Sequence, residues 1–186
     1  MPMTQASCHL RTFNSLPGIG AGFLTRVQGV EVDVDREATC RRLESAHRLA
    51  VERMGFSWNH LHRAEQVHGV EIAIVGKNDP AHIWSGVDGL VTADPEVILG
   101  IYVADCGAVY IADPVKKVLA LLHSGKKGTV GNITGKAIEI MAEQFGSNPA
   151  DLIVALAPCI RPPAYEVDFA SQIREQVFDA GVPESQ

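Results

Sequence analysis

The spacing of apolar residues along the chain predicts three helices. Over about residues 35–54, apolar side chains recur at steps of three and four residues, and Gly55 provides a stop. The same spacing predicts a second helix over residues 129–145 and a third over residues 168–181. Each of these segments therefore has one apolar face to bury.

Shorter apolar runs predict β-strands. A short strand is expected over residues 19–26, directly after the turn signal Pro17-Gly18. Further β-rich runs, each bounded by Gly, Asp or Pro, occupy residues 65–76, 88–93, 97–113, 117–125 and 151–158. Because these strands come in runs rather than alternating strictly with helices, the pattern indicates an α+β fold.

Composition and charge narrow the class of protein. The chain has 186 residues, 46% hydrophobic and 20% charged, which excludes collagen-like and wholly disordered proteins and favours one domain over residues 1–186. Sixteen basic residues against 22 acidic ones give a formal net charge of −6, which argues against general binding to nucleic acids or anionic membranes. Because we find no signal peptide and no apolar run near the roughly 20 residues that span a bilayer, we expect a soluble cytoplasmic protein.

Three reactive side chains, those of His68, Cys106 and His123, each lie at a predicted strand end beside a small residue. Strand ends that meet turns are where folds often present functional groups. One thiolate and two imidazoles form a zinc ligand set that leaves the fourth tetrahedral position open, as in catalytic sites. The same three residues could instead form a metal-free cysteine–histidine hydrolase.

Packing or surface positions are expected for the other cysteines and histidines. The cysteines are widely spaced without a C-x-x-C pair, which is unlike a disulfide framework or a zinc finger. A small-hydrophobe role is expected for Cys8, Cys40 and Cys159. Surface or core-satisfied positions are expected for His9, His47, His60, His62 and His82.

Two lysines, Lys126 and Lys127, follow His123 in a glycine-bounded loop between a predicted strand and a predicted helix. Loops at this position often cradle phosphate, although this one does not match the P-loop pattern. Solvated lysines in a turn are the alternative. The glycines near residue 20 do not match G-x-G-x-x-G, so hydride transfer with a dinucleotide is not expected.

Five segments occur in a specific order. They read Gln66-Val67-His68-Gly69, Asp88-Gly89-Leu90-Val91-Thr92, Ala104-Asp105-Cys106, His123-Ser124-Gly125-Lys126-Lys127-Gly128 and, from residue 157, APCIRPPAYEV. Together with residues 22–26, they resemble the laccase-domain family, also called multicopper polyphenol oxidoreductases and, later, purine nucleoside phosphorylases. The resemblance runs from about residue 20 to the C-terminus.

The resemblance implies an α+β fold, a single domain of layered mixed β-sheets flanked by helices. It also implies a metal ion held by His68, Cys106 and His123, with zinc expected and copper as the alternative. The activity it implies is phosphorolysis of adenosine, inosine, guanosine or methylthioadenosine, with adenosine deamination as a second reaction. The expected partners are therefore a purine nucleoside and phosphate.

Roles for the other site residues follow from this expected chemistry. Asp105 adjoins Cys106 and is expected to move protons as part of the catalytic group, with a turn-capping role as the alternative. Lys127 and Arg26 are expected to hold phosphate. Lys126, which precedes Lys127 in the same loop, is expected to line the same anion site. The family's Trp-Arg pair is replaced here by the two lysines, and an ammonium is not equivalent to a guanidinium at a phosphate site.

Other functions stay open from the sequence. Family members commonly continue for some tens of residues beyond this chain, so we expect it to lack the family's C-terminal segment. A metal-free Cys/His hydrolase or deamidase, a copper-dependent polyphenol oxidase and a non-catalytic binding protein are the alternatives to the nucleoside enzyme.

Overall fold

Residues 10–32, 35–79 and 83–184 are described by the structure, a computed structural model. Its α-helices are α1 Arg11–Ser15, α2 Arg36–Arg53, α3 Lys126–Val130, α4 Ile133–Phe145 and α5 Phe169–Asp179. Its strands are β1 Leu61–Ala64, β2 Ile72–Ile74, β3 Ile83–Trp84, β4 Gly89–Thr92, β5 Ile98–Gly100, β6 Gly107–Asp113, β7 Val118–Ser124 and β8 Ile153–Leu156. Single 3-10 turns lie at Trp58–His60 and Pro149–Asp151.

The chain divides into two compact units, Met1–His60 and Leu61–Gln186. The first unit contains α2, which confirms the first predicted helix. Asp35 caps its start, because the side chain accepts a hydrogen bond of 3.0 Å from the backbone N–H of Ala38. The chain leaves the helix at Gly55, whose φ of +87° suits glycine.

The strand predicted over residues 19–26 is wrong. The side chain of Asn14 binds both backbone groups of Ala21, accepting from its N–H at 2.8 Å and donating to its carbonyl at 3.0 Å. Gly20 lies so close to the ring of Phe56 that a Cβ there would be 3.1 Å from it. The segment is therefore held by a side chain and by packing rather than by a neighbouring strand.

Both sheets lie in the second unit. The smaller sheet has the order β3-β1-β5 with parallel pairing, and the larger has the order β2-β4-β7-β6-β8. Within the larger sheet, β2 and β4 are parallel and the other neighbours are antiparallel. Strands in runs, with helices flanking them, confirm the α+β fold class, whereas the single-domain boundary stays a prediction.

Several predicted elements are shorter than expected or divided. Of residues 65–76 only β2 is a strand, and residues 97–113 contain two strands, β5 and β6, joined by a six-residue segment. The helix predicted over residues 129–145 is interrupted after α3, because Asn132 has a left-handed φ of 57° and caps α4 by accepting from the N–H of Gly135. The third helix is confirmed as α5, and the short elements α1, β1 and β3 were not predicted.

The main core lies around β6 and β7. Val109, Ile111 and Leu122 are fully buried there, and α4 adds Ile138 and Met141. Because β6 and β7 bury apolar side chains along most of their length, the pairing register between the two strands is strongly specified. Within the described residues, no helix combines the length and the apolar character needed to cross a membrane.

Candidate metal centre

Antiparallel pairing brings Cys106 and His123 to one end of the larger sheet. Strand β6 begins at Gly107, opposite Ser124, and Ala108 lies opposite His123 near the end of β7. Cys106 precedes β6 directly, so it lies beside the point where β7 ends. The hydrogen-bond register of two long central strands therefore determines this part of the site.

His68 reaches the same place from a loop. It lies between β1 and β2 rather than at a strand end as the sequence suggested, and its φ is +60°. A left-handed conformation is uncommon for a residue with a side chain. The loop enters the sheet at Ile72, which pairs with Gly89 at the same end of the sheet as His123.

The three side chains form a cluster that could hold a metal ion. One ligand atom from each of His68, Cys106 and His123 can be chosen so that all three lie within 4.8 Å of one another. The two imidazole rings meet edge to face, with centroids 4.8 Å apart and planes at 83°. Atoms bonded to one tetrahedral zinc ion at about 2.0–2.3 Å lie within about 4 Å of one another. The spacing here extends to 4.8 Å, so the ligand atoms would have to approach by about 1 Å to share such an ion.

His123 is oriented by a carboxylate to which the sequence analysis assigned no role. Its Nδ1 lies 2.7 Å from Oδ1 of Asp88, and both side chains are buried. Nε2 is therefore the ring nitrogen through which His123 would bind a metal ion. One feature of the sequence could have indicated this role: the aspartate lies directly before the short strand β4, which is wholly buried. A carboxylate buried beside such a strand requires hydrogen-bond donors.

The surroundings of Cys106 favour its neutral thiol when no cation is present. Burial raises the pKa of Cys106 to about 11, and the carboxylates of Asp105 and Asp88 contribute in the same direction. A metal ion deprotonates a coordinating thiol, so binding would release the proton. Asp105 itself is exposed, and hydrogen-bonds to the thiol; its proton-transfer role stays a prediction.

The two lysines differ in their surroundings. Nζ of Lys126 lies 2.7 Å from a carboxylate oxygen of Glu166, which raises the pKa of this lysine. Lys127 is exposed on α3 and has no carboxylate partner among the described residues. Arg26 is exposed in the first unit, and the phosphate-binding roles of all three residues stay predictions.

The remaining histidines and cysteines agree with the expected packing and surface positions where they can be compared. His62 is buried, and its Nδ1 accepts a hydrogen bond of 3.1 Å from the indole N–H of Trp84. Cys159 is half-buried against the main core. Half-buried positions are found for Cys40 and His47, and His60 is exposed. Outside the described residues lie Cys8, His9 and His82.

Comparison with known proteins identifies a family that the sequence matches. The sequence matches the family described as Multi-copper polyphenol oxidoreductase laccase over residues 23–185. A Deinococcus radiodurans protein named purine nucleoside phosphorylase is 41% identical over 133 residues, which are 70% of this chain and 50% of that protein. The chain spans about half the length of the curated relatives it matches.

Two solved structures share the fold. YlmD from Geobacillus stearothermophilus superposes with a TM-score of 0.70 at 27% identity, covering 88% of this chain and 72% of the other. The Bacillus licheniformis hypothetical protein YfiH gives a TM-score of 0.73 at 22% identity, covering 78% and 68% of the two chains. Since the family match extends over most of the sequence, the chain belongs to the multi-copper polyphenol oxidoreductase laccase family.

Proposed function

We propose that the protein is a zinc-dependent enzyme that cleaves purine nucleosides with phosphate and also deaminates adenosine. The observation that carries the proposal is the convergence of His68, Cys106 and His123, whose ligand atoms lie within 4.8 Å of one another. Relatives named purine nucleoside phosphorylase support the substrate class. The proposed nucleosides are adenosine, inosine, guanosine and methylthioadenosine.

The donor set fits zinc. Two imidazole nitrogens and one thiolate sulfur are ligands that zinc takes in catalytic sites, where a fourth position stays open. When bound, zinc would supply a Lewis acid that polarises the substrate. Copper accepts the same donors, so the identity of the metal is part of what the experiment below measures.

The surrounding residues can bind substrate and transfer protons. The exposed carboxylate of Asp105 is next to Cys106 and can exchange protons with solvent and substrate. Lys127 carries a positive charge on α3 that is not paired with a carboxylate among the described residues, so it is proposed as the phosphate ligand. Holding phosphate and nucleoside in a fixed orientation would supply much of the rate acceleration.

A metal-free cysteine hydrolase is the second candidate, because Asp88 orients His123 as the third member of a Cys–His–Asp triad would. A nucleophilic cysteine requires a lowered pKa, however. Burial instead raises the pKa of Cys106 to about 11. The arrangement therefore favours the metal enzyme.

Purified protein should release free base from a purine nucleoside only when phosphate and metal are both present. The assay uses each of the four nucleosides, with and without phosphate, on protein as purified, after chelation, and after addition of Zn²⁺ or Cu²⁺. Metal content is measured on the same samples. Full activity after complete removal of metal would contradict the proposal and support the cysteine hydrolase.

Substitution of Lys127 should change the phosphate dependence of that reaction. Lys127→Ala removes one charge-assisted hydrogen bond of about 1.5 kcal/mol, so we expect the KM for phosphate to rise about tenfold. Lys127→Arg provides a planar, bidentate donor, so we expect a KM for phosphate about threefold lower. Initial rates at varied phosphate concentration measure both effects.

Lys116 provides a matched control for this pair of variants. It is an exposed lysine in the turn between β6 and β7, at the opposite end of both strands from His123. Lys116→Ala should leave the KM for phosphate unchanged. An unaltered phosphate dependence in both Lys127 variants would show that Lys127 is a solvated surface residue of α3 rather than a phosphate ligand.

A further inference from the structure

The backbone of Asp88 is held by the strands on either side of it. It lies directly before β4, and its N–H donates to the carbonyl of Glu71 at 2.8 Å. Its own carbonyl accepts from the N–H of His123 at 2.7 Å. The residue is fully buried. The backbone position from which its carboxylate extends is therefore fixed in the sheet.

Four donors surround this carboxylate. Oδ1 lies 2.7 Å from Nδ1 of His123 and accepts from the N–H of His68 at 2.9 Å. Oδ2 accepts from the N–H groups of Val67 and Gly69, at 3.1 and 2.7 Å. One side chain thus contacts the ring of one histidine and three successive backbone amides around the other.

The loop carrying His68 is shaped around the carboxylate. Gln66 and His68 have φ values of 63° and 60°, and this left-handed conformation directs the N–H groups of Val67, His68 and Gly69 toward one point. Successive N–H groups arranged in this way form a concave site for an anion. Here the anion is a side chain of the protein, fixed by β4.

We propose that Asp88 is the positioning residue of the metal centre, holding the ring of His123 by a hydrogen bond and the backbone of His68 by the amide cradle. The inference rests on the proposed function, because it takes both histidines as metal ligands. Cys106 lies directly before β6, and its position does not depend on these hydrogen bonds. Loss of the carboxylate should therefore disturb two of the three ligands and leave the sulfur in place.

Asp88→Asn is the most informative substitution, since it keeps the shape but replaces one oxygen by an NH₂ group. At either oxygen position the new donor would face two existing donors, unless the ring of His123 changes tautomer and loses Nε2 as a ligand. Substitution of a residue that hydrogen-bonds a metal ligand typically changes metal affinity by about 10–100-fold. We expect a loss of Zn²⁺ affinity in that range.

Asp113 offers a matched control far from the centre. It is a fully buried carboxylate that accepts from the N–H groups of Val115 and Lys116, both at 2.8 Å, in the turn between β6 and β7. Asp113→Ala, which leaves both of these N–H groups without their acceptor, should lower the urea midpoint of unfolding while leaving Zn²⁺ affinity unchanged. It separates a loss of stability from a loss of ligand position.

The experiment measures Zn²⁺ affinity by competition with a chelator and the visible spectrum of the Co²⁺-loaded full chain. In Asp88→Asn, the ligand-field bands should change while the thiolate-to-cobalt charge-transfer band of Cys106 persists. An Asp88→Asn protein with Zn²⁺ affinity within twofold of the unsubstituted protein and an unchanged spectrum would overturn the proposal. Failure of the unsubstituted protein to bind Zn²⁺ would instead overturn the proposed function, and this inference with it.

If Asp88→Asn does not fold, a measurement on the unsubstituted protein tests whether Asp88 positions the ring of His123. ¹⁵N NMR of the histidine rings should show His123 protonated at Nδ1 with and without Zn²⁺, and a Zn²⁺-dependent shift at Nε2. A Zn²⁺-dependent shift at Nδ1, or an Nδ1 without a proton, would show that the carboxylate does not position this ring.

Discussion

Cys106→Ala should abolish metal binding and turnover while leaving the fold largely intact. Cys106 supplies the one sulfur of the described ligand cluster, and without it only two imidazoles remain to hold the ion. The thiol is half-buried and lies just before β6, outside the buried core, so truncation removes little packing. Metal content after dialysis, far-UV circular dichroism and the base-release assay measure the three effects.

Cys159→Ala is the matched control for this variant. Cys159 has a similar exposure and its pKa is also raised by burial, but its side chain packs against the main core. We expect it to keep the metal and lose some stability, because a partly buried sulfur is removed. Loss of metal from Cys159→Ala, together with its retention by Cys106→Ala, would mean that the wrong cysteine has been assigned.

Gly125→Ala should weaken metal binding about tenfold and reduce turnover by about tenfold, less than the roughly 100-fold expected when reacting groups are displaced by about 1 Å. A Cβ at this position would lie 3.0 Å from Sγ of Cys106 and 3.0 Å from Cδ2 of His68. Both contacts are tighter than ordinary van der Waals distance, so each of the two ligands must shift away from the new Cβ by a few tenths of an ångström. Zn²⁺ competition and steady-state kinetics measure the change.

The fold should tolerate Gly125→Ala. The φ and ψ of Gly125, −82° and −173°, are ordinary extended values that alanine adopts without strain. Gly76→Ala is the control, because a Cβ there has no neighbour within 4 Å. Equal Zn²⁺ affinities in the two variants would show that the space beside Gly125 does not determine the ligand positions.

The helices that the sequence predicted best are those with their own local signals. Helix α2 has an apolar repeat, a capping aspartate at Asp35 and a terminating Gly55, and all three act within a few residues. Helix α5 has the same kinds of signal in Asp168 and Gly181. Such elements are predictable because their hydrogen bonds are made within one segment.

The wrong predictions concern segments whose hydrogen bonds are made with residues outside the segment itself. A strand was predicted over residues 19–26, but the backbone of Ala21 within this segment bonds to the side chain of Asn14. Strand β1 is four residues long and contains His62, so its sequence has no apolar run to indicate a strand that pairs with β3 and β5. Pairing partners are chosen in three dimensions, and short strands carry little information about that choice.

For the candidate site, the sequence by itself determined which residue types were available: His68, Cys106 and His123 were identified from their spacing and from the family resemblance. Only the tertiary structure decided that they converge, because the antiparallel register of β6 with β7 places Cys106 beside His123. It also revealed Asp88, whose partners lie 19–21 and 35 residues away along the chain. A local pattern can report what a residue can bind, but the direction in which a buried carboxylate points depends on strands paired across the sheet.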